Sequence, residues 1–140
     1  MSAVPSTASH GNDAPVLASR SGGVLTLTLN RPAQFNALSA ELMAAMQIEL
    51  DRAAADPAVR VVVVAAAGKA FCAGHDLREM RAEPSLDYYQ KLFAQCSRMM
   101  MTLQRMPQPV IARVHGIATA AGCQLVAMCA LAVAAEGARF

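Results

Sequence analysis

The sequence predicts an α/β fold in which strands and helices alternate along the chain. Hydrophobic residues make up 55% of the 140 residues and charged residues only 16%, which is enough apolar material for the core of one domain. Segments with strand-like alternation or continuous Val and Ala composition are separated by segments whose apolar residues recur at helical spacing. The resulting order of strand, helix, strand, helix, strand, helix, strand indicates crossover connections between parallel strands.

The first part of the chain contains one strand and one long helix. We expect residues 1–20 to form a disordered tail, because the opening is rich in Ser, Thr, Ala and Pro, and residues 21–140 to form the domain. Apolar residues alternate with Thr over residues 24–29, which is typical of a half-buried strand. Ser39 is a good N-cap for a helix. The predicted buried face of this helix consists of Leu42, Met43, Met46 and Leu50.

The second part continues the alternation. Residues 59–67 are almost all Val and Ala, which indicates a parallel strand buried on both faces. Ser85 is placed to cap a second long helix. Its predicted stripe consists of Tyr89, Leu92, Phe93, Cys96, Met100 and Leu103. A strand over residues 110–114, a helix over 121–128 and a buried strand over 131–135 complete the prediction.

Charge and cysteine content exclude several kinds of function. The net charge is +2 without a basic cluster, so we expect no nucleic-acid partner. The four cysteines have neither CxxC nor zinc-ligand spacing, and we interpret them as reduced thiols in a cytoplasmic protein without a metal site. Residues 117–135 are uncharged and long enough to span a bilayer. A buried helix followed by a buried strand explains them better, so membrane association remains a weaker alternative.

Two turns of small residues carry the functional signal. They lie within residues 70–77 and 116–125, and each leads into a predicted helix. Such turns can point backbone N–H groups at a polarised or negatively charged oxygen. If the two turns face each other, they form an oxyanion hole that needs no side chain; the simpler alternative is two tight turns without a ligand.

Four ordered motifs resemble those of the enoyl-CoA hydratase/isomerase family, also called the crotonase superfamily. They cover residues 30–38, 69–77, 107–125 and 131–140. The resemblance extends over roughly the first half of the family domain, so it implies a truncated form of the family's spiral of ββα turns. It further implies an acyl-CoA thioester as the substrate, no separate cofactor, and assembly as a homotrimer or a dimer of trimers.

The resemblance also implies roles for individual residues. The backbone N–H groups of His75 and Ala121 would polarise the thioester carbonyl, with Gly74 and Gly122 beside them in the substrate pocket. The residues implied in coenzyme A binding are Gln34, Phe35, Ala37, Ala73, Asp76 and Leu77. Asp76 has an alternative explanation as the cap of the helix that follows it. The His75 side chain could titrate near neutral pH, but the resemblance implies a role for its amide.

The chain departs from the family at a residue that matters for proton transfer. Hydratases of the family use two glutamates, and the position of the first is Gln124 here. A carboxamide does not exchange a proton at a useful pKa, so Gln124 can orient water or the thioester but is not a general base. Two hypotheses follow: an acyl-CoA enzyme that works through a thioester enolate, and a non-catalytic acyl-CoA-binding or assembly subunit on the same fold.

Overall fold

A five-stranded sheet and a separate two-stranded sheet organise the chain. The computed structural model describes residues 13–140. The strands are β1 (Val16–Ser21), β2 (Val24–Leu29), β3 (Val61–Ala66), β4 (Ala70–Cys72), β5 (Val110–Val114), β6 (Ile117–Ala118) and β7 (Leu131–Ala134). The helices are α1 (Ala40–Ala55), α2 (Leu77–Ala82), α3 (Leu86–Arg105) and α4 (Ala121–Met128), and a 3₁₀ turn covers Pro32–Gln34.

The chain order confirms the predicted ββα spiral. Two strands precede α1, two precede the α2–α3 pair and two precede α4. The large sheet has the order β1-β2-β3-β5-β7, in which β1 is antiparallel to β2 and the other neighbours are parallel. The remaining strands, β4 and β6, pair in parallel to form the small sheet.

The predicted disordered tail of residues 1–20 extended too far along the chain. Residues 1–12 lie outside the described residues, but residues from Val16 onward form β1 and pair with β2 through a turn at Gly22, where φ is 57°. Most of β1 is exposed. Its stability therefore comes from backbone pairing with β2 rather than from an apolar face, and an edge strand of this kind leaves little hydrophobic pattern in the sequence.

The core lies where α1 and α3 pack together over one face of the large sheet. All four predicted core residues of α1 are at most 1% exposed, and the Ser39 and Ser85 hydroxyls cap their helices as predicted. In α3 the prediction is confirmed for Leu92, Cys96, Met100 and Leu103, whereas Tyr89 is only half-buried. Phe93 is instead 47% exposed, because it lies at the border of the buried face.

The last strand also differs from its prediction. Residues 131–135 were expected to be buried, yet every residue of β7 is exposed, including Leu131 at 64% and Val133 at 63%. The reason is that β7 is the outer strand of the large sheet. The uncharged stretch of residues 117–135 is divided among β6, α4 and β7. In the described part of the chain, no helix combines the length and apolar character needed to cross a membrane.

Candidate active site

The two predicted turns lie side by side because the small sheet ends at both of them. Ala70 pairs with Ile117 and Cys72 pairs with Ala118 in the parallel β4–β6 ladder. The carboxyl ends of parallel neighbours meet at the same edge of a sheet. The ladder is extended by the Thr119 amide, which donates to the Cys72 carbonyl at 3.0 Å. Consequently the turn after β4 and the turn after β6 emerge next to each other.

Gly122 allows the turn after β6 and helix α4 to approach β4 closely. A Cβ atom on Gly122 would collide with the backbone carbonyl of Cys72. Gly122 was predicted to line the substrate pocket, but the space beside its Cα is filled by β4. The missing side chain seats α4 against β4 and so sets the position of the Ala121 amide, while the pocket role of Gly122 stays a prediction.

Gly74 brings the first turn to the Ala121 amide. Its φ is +94°, and a Cβ atom built on it would lie 3.3 Å from the Ala121 nitrogen. The Gly74 carbonyl accepts from the Leu38 amide at 2.7 Å, and the Asp76 amide donates to the Leu38 carbonyl at 3.4 Å. In such a parallel bridge the amide of the residue between them, His75, points away from Leu38.

The two backbone amides implied in the oxyanion hole donate no hydrogen bond to an acceptor in the described part of the chain. Within residues 13–140, neither the His75 nor the Ala121 backbone N–H donates a hydrogen bond to another group. Ala121 is the first residue of α4, where the N–H has no partner within the helix. The structure thus leaves both donors available, on adjacent turns.

Ala120 enters α4 in a strained conformation. Its φ is 51° and its ψ is −126°, outside the regions that a residue with a Cβ normally adopts. Strain of this kind costs about 1–3 kcal/mol and clusters at functional sites. The unusual dihedrals orient the peptide group that carries the Ala121 N–H. This conformation could not be predicted from the sequence, because alanine is not a residue that indicates a positive φ.

A buried asparagine holds the opening loop, residues 30–38, against the first turn. Asn36 is 0% exposed, and its Nδ2 donates to the Ala67 carbonyl at 2.8 Å and to the Ala70 carbonyl at 2.9 Å. Its Oδ1 accepts from the Arg31 amide at 2.8 Å. Phe35 and Asn36 both have positive φ values, of 52° and 53°. Sequence reasoning missed the role of Asn36, although Asn is the residue other than Gly that most readily adopts this conformation.

One cavity brings together every residue implied in coenzyme A binding. It has a volume of about 310 Å³ and lies between the opening loop and the turn after β4. It is lined by Gln34, Phe35, Ala37, Ala73, Asp76 and Leu77, together with Ala33, His75 and Arg78. Neither Ala121 nor Gln124 lines this cavity. The cavity thus contains the predicted coenzyme A contacts and His75 but not the second oxyanion amide.

Asp76 has the capping role that the sequence offered as an alternative. Its Oδ1 accepts from the Arg78 amide at 3.1 Å and from the Glu79 amide at 3.2 Å at the start of α2. Its Oδ2 lies 3.3 Å from the Arg31 guanidinium, which also donates to the Ala37 carbonyl at 3.0 Å. Burial by itself would raise the pKa of Asp76, but the Glu79 amide, the Arg31 guanidinium and the Arg78 amide hold it below its ordinary value.

The His75 ring packs edge-on against Phe93 of α3. The ring centroids are 5.3 Å apart and the planes meet at 85°. Nδ1 of His75 is buried without a hydrogen-bond partner among the described residues. Burial lowers the pKa of His75, while the Leu38 backbone and the Glu79 carboxylate act in the opposite direction.

Gln124 lies on α4 one turn after Ala121, so the two residues share a face of the helix. It is exposed, and its side chain bonds to no residue of the described chain. The position therefore leaves the carboxamide free to contact a bound molecule, but it supplies no proton acceptor.

All four cysteines are free, and burial raises the pKa of Cys72 and of Cys129 to about 11. Over residues 13–140 there is no group of three or more His, Cys, Asp and Glu side chains that could hold a metal ion.

Comparison with known proteins identifies the family of this chain. The enoyl-CoA hydratase/isomerase profile matches residues 19–140. The chain is 45% identical over 118 residues to enoyl-CoA hydratase domain-containing protein 3 of Xenopus laevis, covering 84% of this chain and 40% of the relative. It is 42% identical over 130 residues to 2,3-dehydroadipyl-CoA hydratase of Escherichia coli, covering 89% of this chain and 48% of the relative.

Solved structures agree with the profile. The crystal structure of an enoyl-CoA hydratase from Mycobacterium smegmatis superposes with a TM-score of 0.87 and 64% identity, covering 89% of this chain and 49% of that one. The crystal structure of human enoyl-CoA hydratase domain-containing protein 3 superposes with a TM-score of 0.82 and 40% identity. This match covers 86% of the present chain and 47% of the human one. The chain thus spans about half the length of the relatives it matches.

The comparisons correct one prediction and establish the family. The relatives from Xenopus laevis, Danio rerio and Homo sapiens are named as mitochondrial, so the predicted cytoplasmic location is wrong. Reduced thiols indicate a reducing compartment but do not identify which one. With a profile match over residues 19–140 and the ββα spiral of its structural neighbours, the chain belongs to the enoyl-CoA hydratase/isomerase family, which acts on acyl-CoA thioesters.

Proposed function

We propose that this chain forms the thioester-binding part of an acyl-CoA enzyme of the hydratase/isomerase type, in which the backbone amides of His75 and Ala121 stabilise a thioester enolate. The proposal is carried by the observation that both N–H groups lack an acceptor among residues 13–140, while the Gly74 turn lies against the Ala121 nitrogen. Two donors fixed in advance stabilise charge that develops during the reaction more than they stabilise the ground state.

Coenzyme A is assigned to the cavity between the opening loop and α2. Its lining includes two exposed apolar side chains, Phe35 at 55% and Leu77 at 69%, which suit the uncharged part of the ligand. Arg78 also lines the cavity and forms no ion pair within the described chain, so its guanidinium is available to a phosphate. Gly74 lies in sequence between Ala73 and His75, which line the cavity, and it packs against the Ala121 nitrogen of the proposed oxyanion hole.

The reaction class within the family depends on how protons move. The relatives' names include hydratases, one of them a 2,3-dehydroadipyl-CoA hydratase, which supports an acyl-CoA thioester as substrate. Gln124 stands where the resemblance implies the first catalytic glutamate, so we propose enolate chemistry rather than a specific hydration. The trimeric assembly implied by the resemblance remains a prediction.

A non-catalytic acyl-CoA-binding subunit is the second candidate, and Gln124 is the observation that favours it. The two candidates differ in one assay. The protein is incubated with butyryl-CoA in D₂O, and incorporation of deuterium at the α-carbon is followed by NMR, while calorimetry measures binding of the same thioester. The proposed enzyme binds and exchanges, whereas a binding subunit binds without exchange above the buffer rate. Absence of binding would contradict both candidates.

A further inference from the structure

The His75 imidazole is the titratable group of the cavity that the proposed oxyanion hole leaves unused. The hole requires only the backbone amide of this residue, so the side chain is free for a separate role. Nδ1 is buried and makes no direct hydrogen bond within the described residues, although the Leu38 backbone lies close enough to raise the pKa of the ring. Nε2 is neither buried nor hydrogen-bonded within them. A buried nitrogen without a partner is unfavourable for folding, and its presence beside a binding cavity calls for an explanation.

The neighbouring carboxylates, which could otherwise act as bases, are already engaged. Asp76 caps α2 and pairs with Arg31. The Glu79 carboxylate accepts from the Ala40 amide at 3.0 Å and from the Tyr88 hydroxyl at 2.9 Å. Gln124 on α4 has no exchangeable proton of useful pKa. His75 is thus the nitrogen base left available at the junction of the cavity and the oxyanion turn.

We propose that the His75 imidazole is a catalytic residue that removes and returns the α-proton of the bound thioester through Nε2. This inference rests on the proposed function. A proton on the buried Nδ1 leaves the lone pair on the accessible Nε2. Covalent geometry keeps an imidazole Nε2 within about 6 Å of its own backbone nitrogen. In the proposed complex, the His75 backbone nitrogen holds the thioester carbonyl oxygen. The α-carbon is bonded to that carbonyl carbon. One residue can therefore reach the carbonyl oxygen with its amide and the α-proton with its side chain.

The proton transfer balances without a further reactant. The Nε2 lone pair takes the proton from the α-carbon, and the C–H electron pair forms a double bond to the carbonyl carbon. The carbonyl π electrons move to oxygen, where the His75 and Ala121 amides stabilise the resulting enolate. The imidazolium then returns a proton to carbon, or first exchanges it with solvent, and the neutral ring is restored.

The surroundings favour the neutral ring that this step requires. Burial lowers the pKa of His75, although the Glu79 carboxylate counteracts this effect. Asp76 and Arg78 line the same cavity as the ring, and the Glu79 carboxylate acts on it. Arg31 and Tyr88 bond to these carboxylates, Arg31 to Asp76 and Tyr88 to Glu79. The lowered pKa of His75 therefore favours the neutral ring at neutral pH.

The test replaces the side chain and keeps the backbone N–H. In His75→Gln, deuterium exchange into butyryl-CoA should fall at least about 100-fold, the usual scale for loss of a general base, while thioester affinity changes less than about threefold. His115→Gln is the matched control, because His115 is exposed and bonds to the Gly68 carbonyl away from the cavity. That variant should exchange at the wild-type rate.

Two further readouts separate catalysis from a structural effect. The wild-type exchange rate should rise with pH up to the pKa of His75, below its ordinary value of 6.5, and then level off; His75→Gln should lose this step. Imidazole added to His75→Ala should restore exchange. The inference would be overturned if His75→Gln exchanged deuterium at more than a third of the wild-type rate. It would also be overturned if the rise of the exchange rate with pH persisted in that variant. If the wild-type protein did not bind the thioester, the proposed function would be overturned instead.

Discussion

Removing the Ala121 N–H tests the oxyanion hole with little risk to the fold. Proline lacks an N–H and suits the first position of a helix, and the Ala121 amide donates to no other group of the described chain. A residue before proline is sterically restricted, and Ala120 is already strained, with φ at 51°. The variant should therefore combine Ala121→Pro with Ala120→Gly, and Ala120→Gly alone is its matched control.

The expected effect follows from the loss of one of two preorganised donors. Such a loss costs about 2.7–4 kcal/mol of transition-state stabilisation, or about 100- to 1,000-fold in rate. We expect deuterium exchange into butyryl-CoA to fall by this factor relative to Ala120→Gly. Thermal unfolding should show that the two proteins are equally folded, because no protein hydrogen bond is lost. Equal exchange rates in a folded double variant would refute the role of the Ala121 amide.

Three further predictions concern stability. Ala120→Gly should stabilise the protein by about 1 kcal/mol and raise Tm by about 4 °C, because it relieves a strained φ; an unchanged or lower Tm would contradict the strain. Asn36→Ala should lower the free energy of unfolding by about 2–4 kcal/mol, since it leaves buried partners unpaired. Gln34 is exposed, so Gln34→Ala should change the same free energy by less than about 0.5 kcal/mol. Denaturant titration of the two variants makes this comparison. Asp76→Asn keeps the helix cap but loses the charge facing Arg31, so it should cost about 1–2 kcal/mol at pH 7. Because the folded-state pKa of Asp76 is lowered from 3.8, this difference from wild type should be complete above that value and disappear as the pH falls through the lowered pKa; a difference independent of pH would contradict the ion pair.

The elements that the sequence predicted well are those with a strong local signal. Ser39 and Ser85 begin their helices as expected, because an N-cap hydroxyl acts on amides two or three residues away. The apolar stripe of α1 is buried because its residues recur at helical spacing. Phe93 satisfied the same spacing in α3 but is exposed, since periodicity defines a face and not where its border lies.

The features that the sequence missed depend on long-range contacts. The β4 and β6 strands are short, with three and two residues, too few to establish a hydrophobic period. Their pairing nevertheless brings the two turns together. Similarly, Asn36 acts through carbonyls more than thirty positions away in sequence. The resemblance identified the residues around the cavity, while the strain at Ala120 and the packing role of Gly122 required coordinates.

The vibrational frequency of the bound thioester carbonyl tests the central claim most directly. Infrared difference spectra of butyryl-CoA carrying a ¹³C-labelled carbonyl report the hydrogen bonds that its oxygen accepts. If the His75 and Ala121 amides both donate to that oxygen, the carbonyl band should shift to lower frequency on binding, and the shift should shrink in Ala120→Gly/Ala121→Pro but not in Ala120→Gly. A band that remains at its position in water when the thioester is bound would contradict the account.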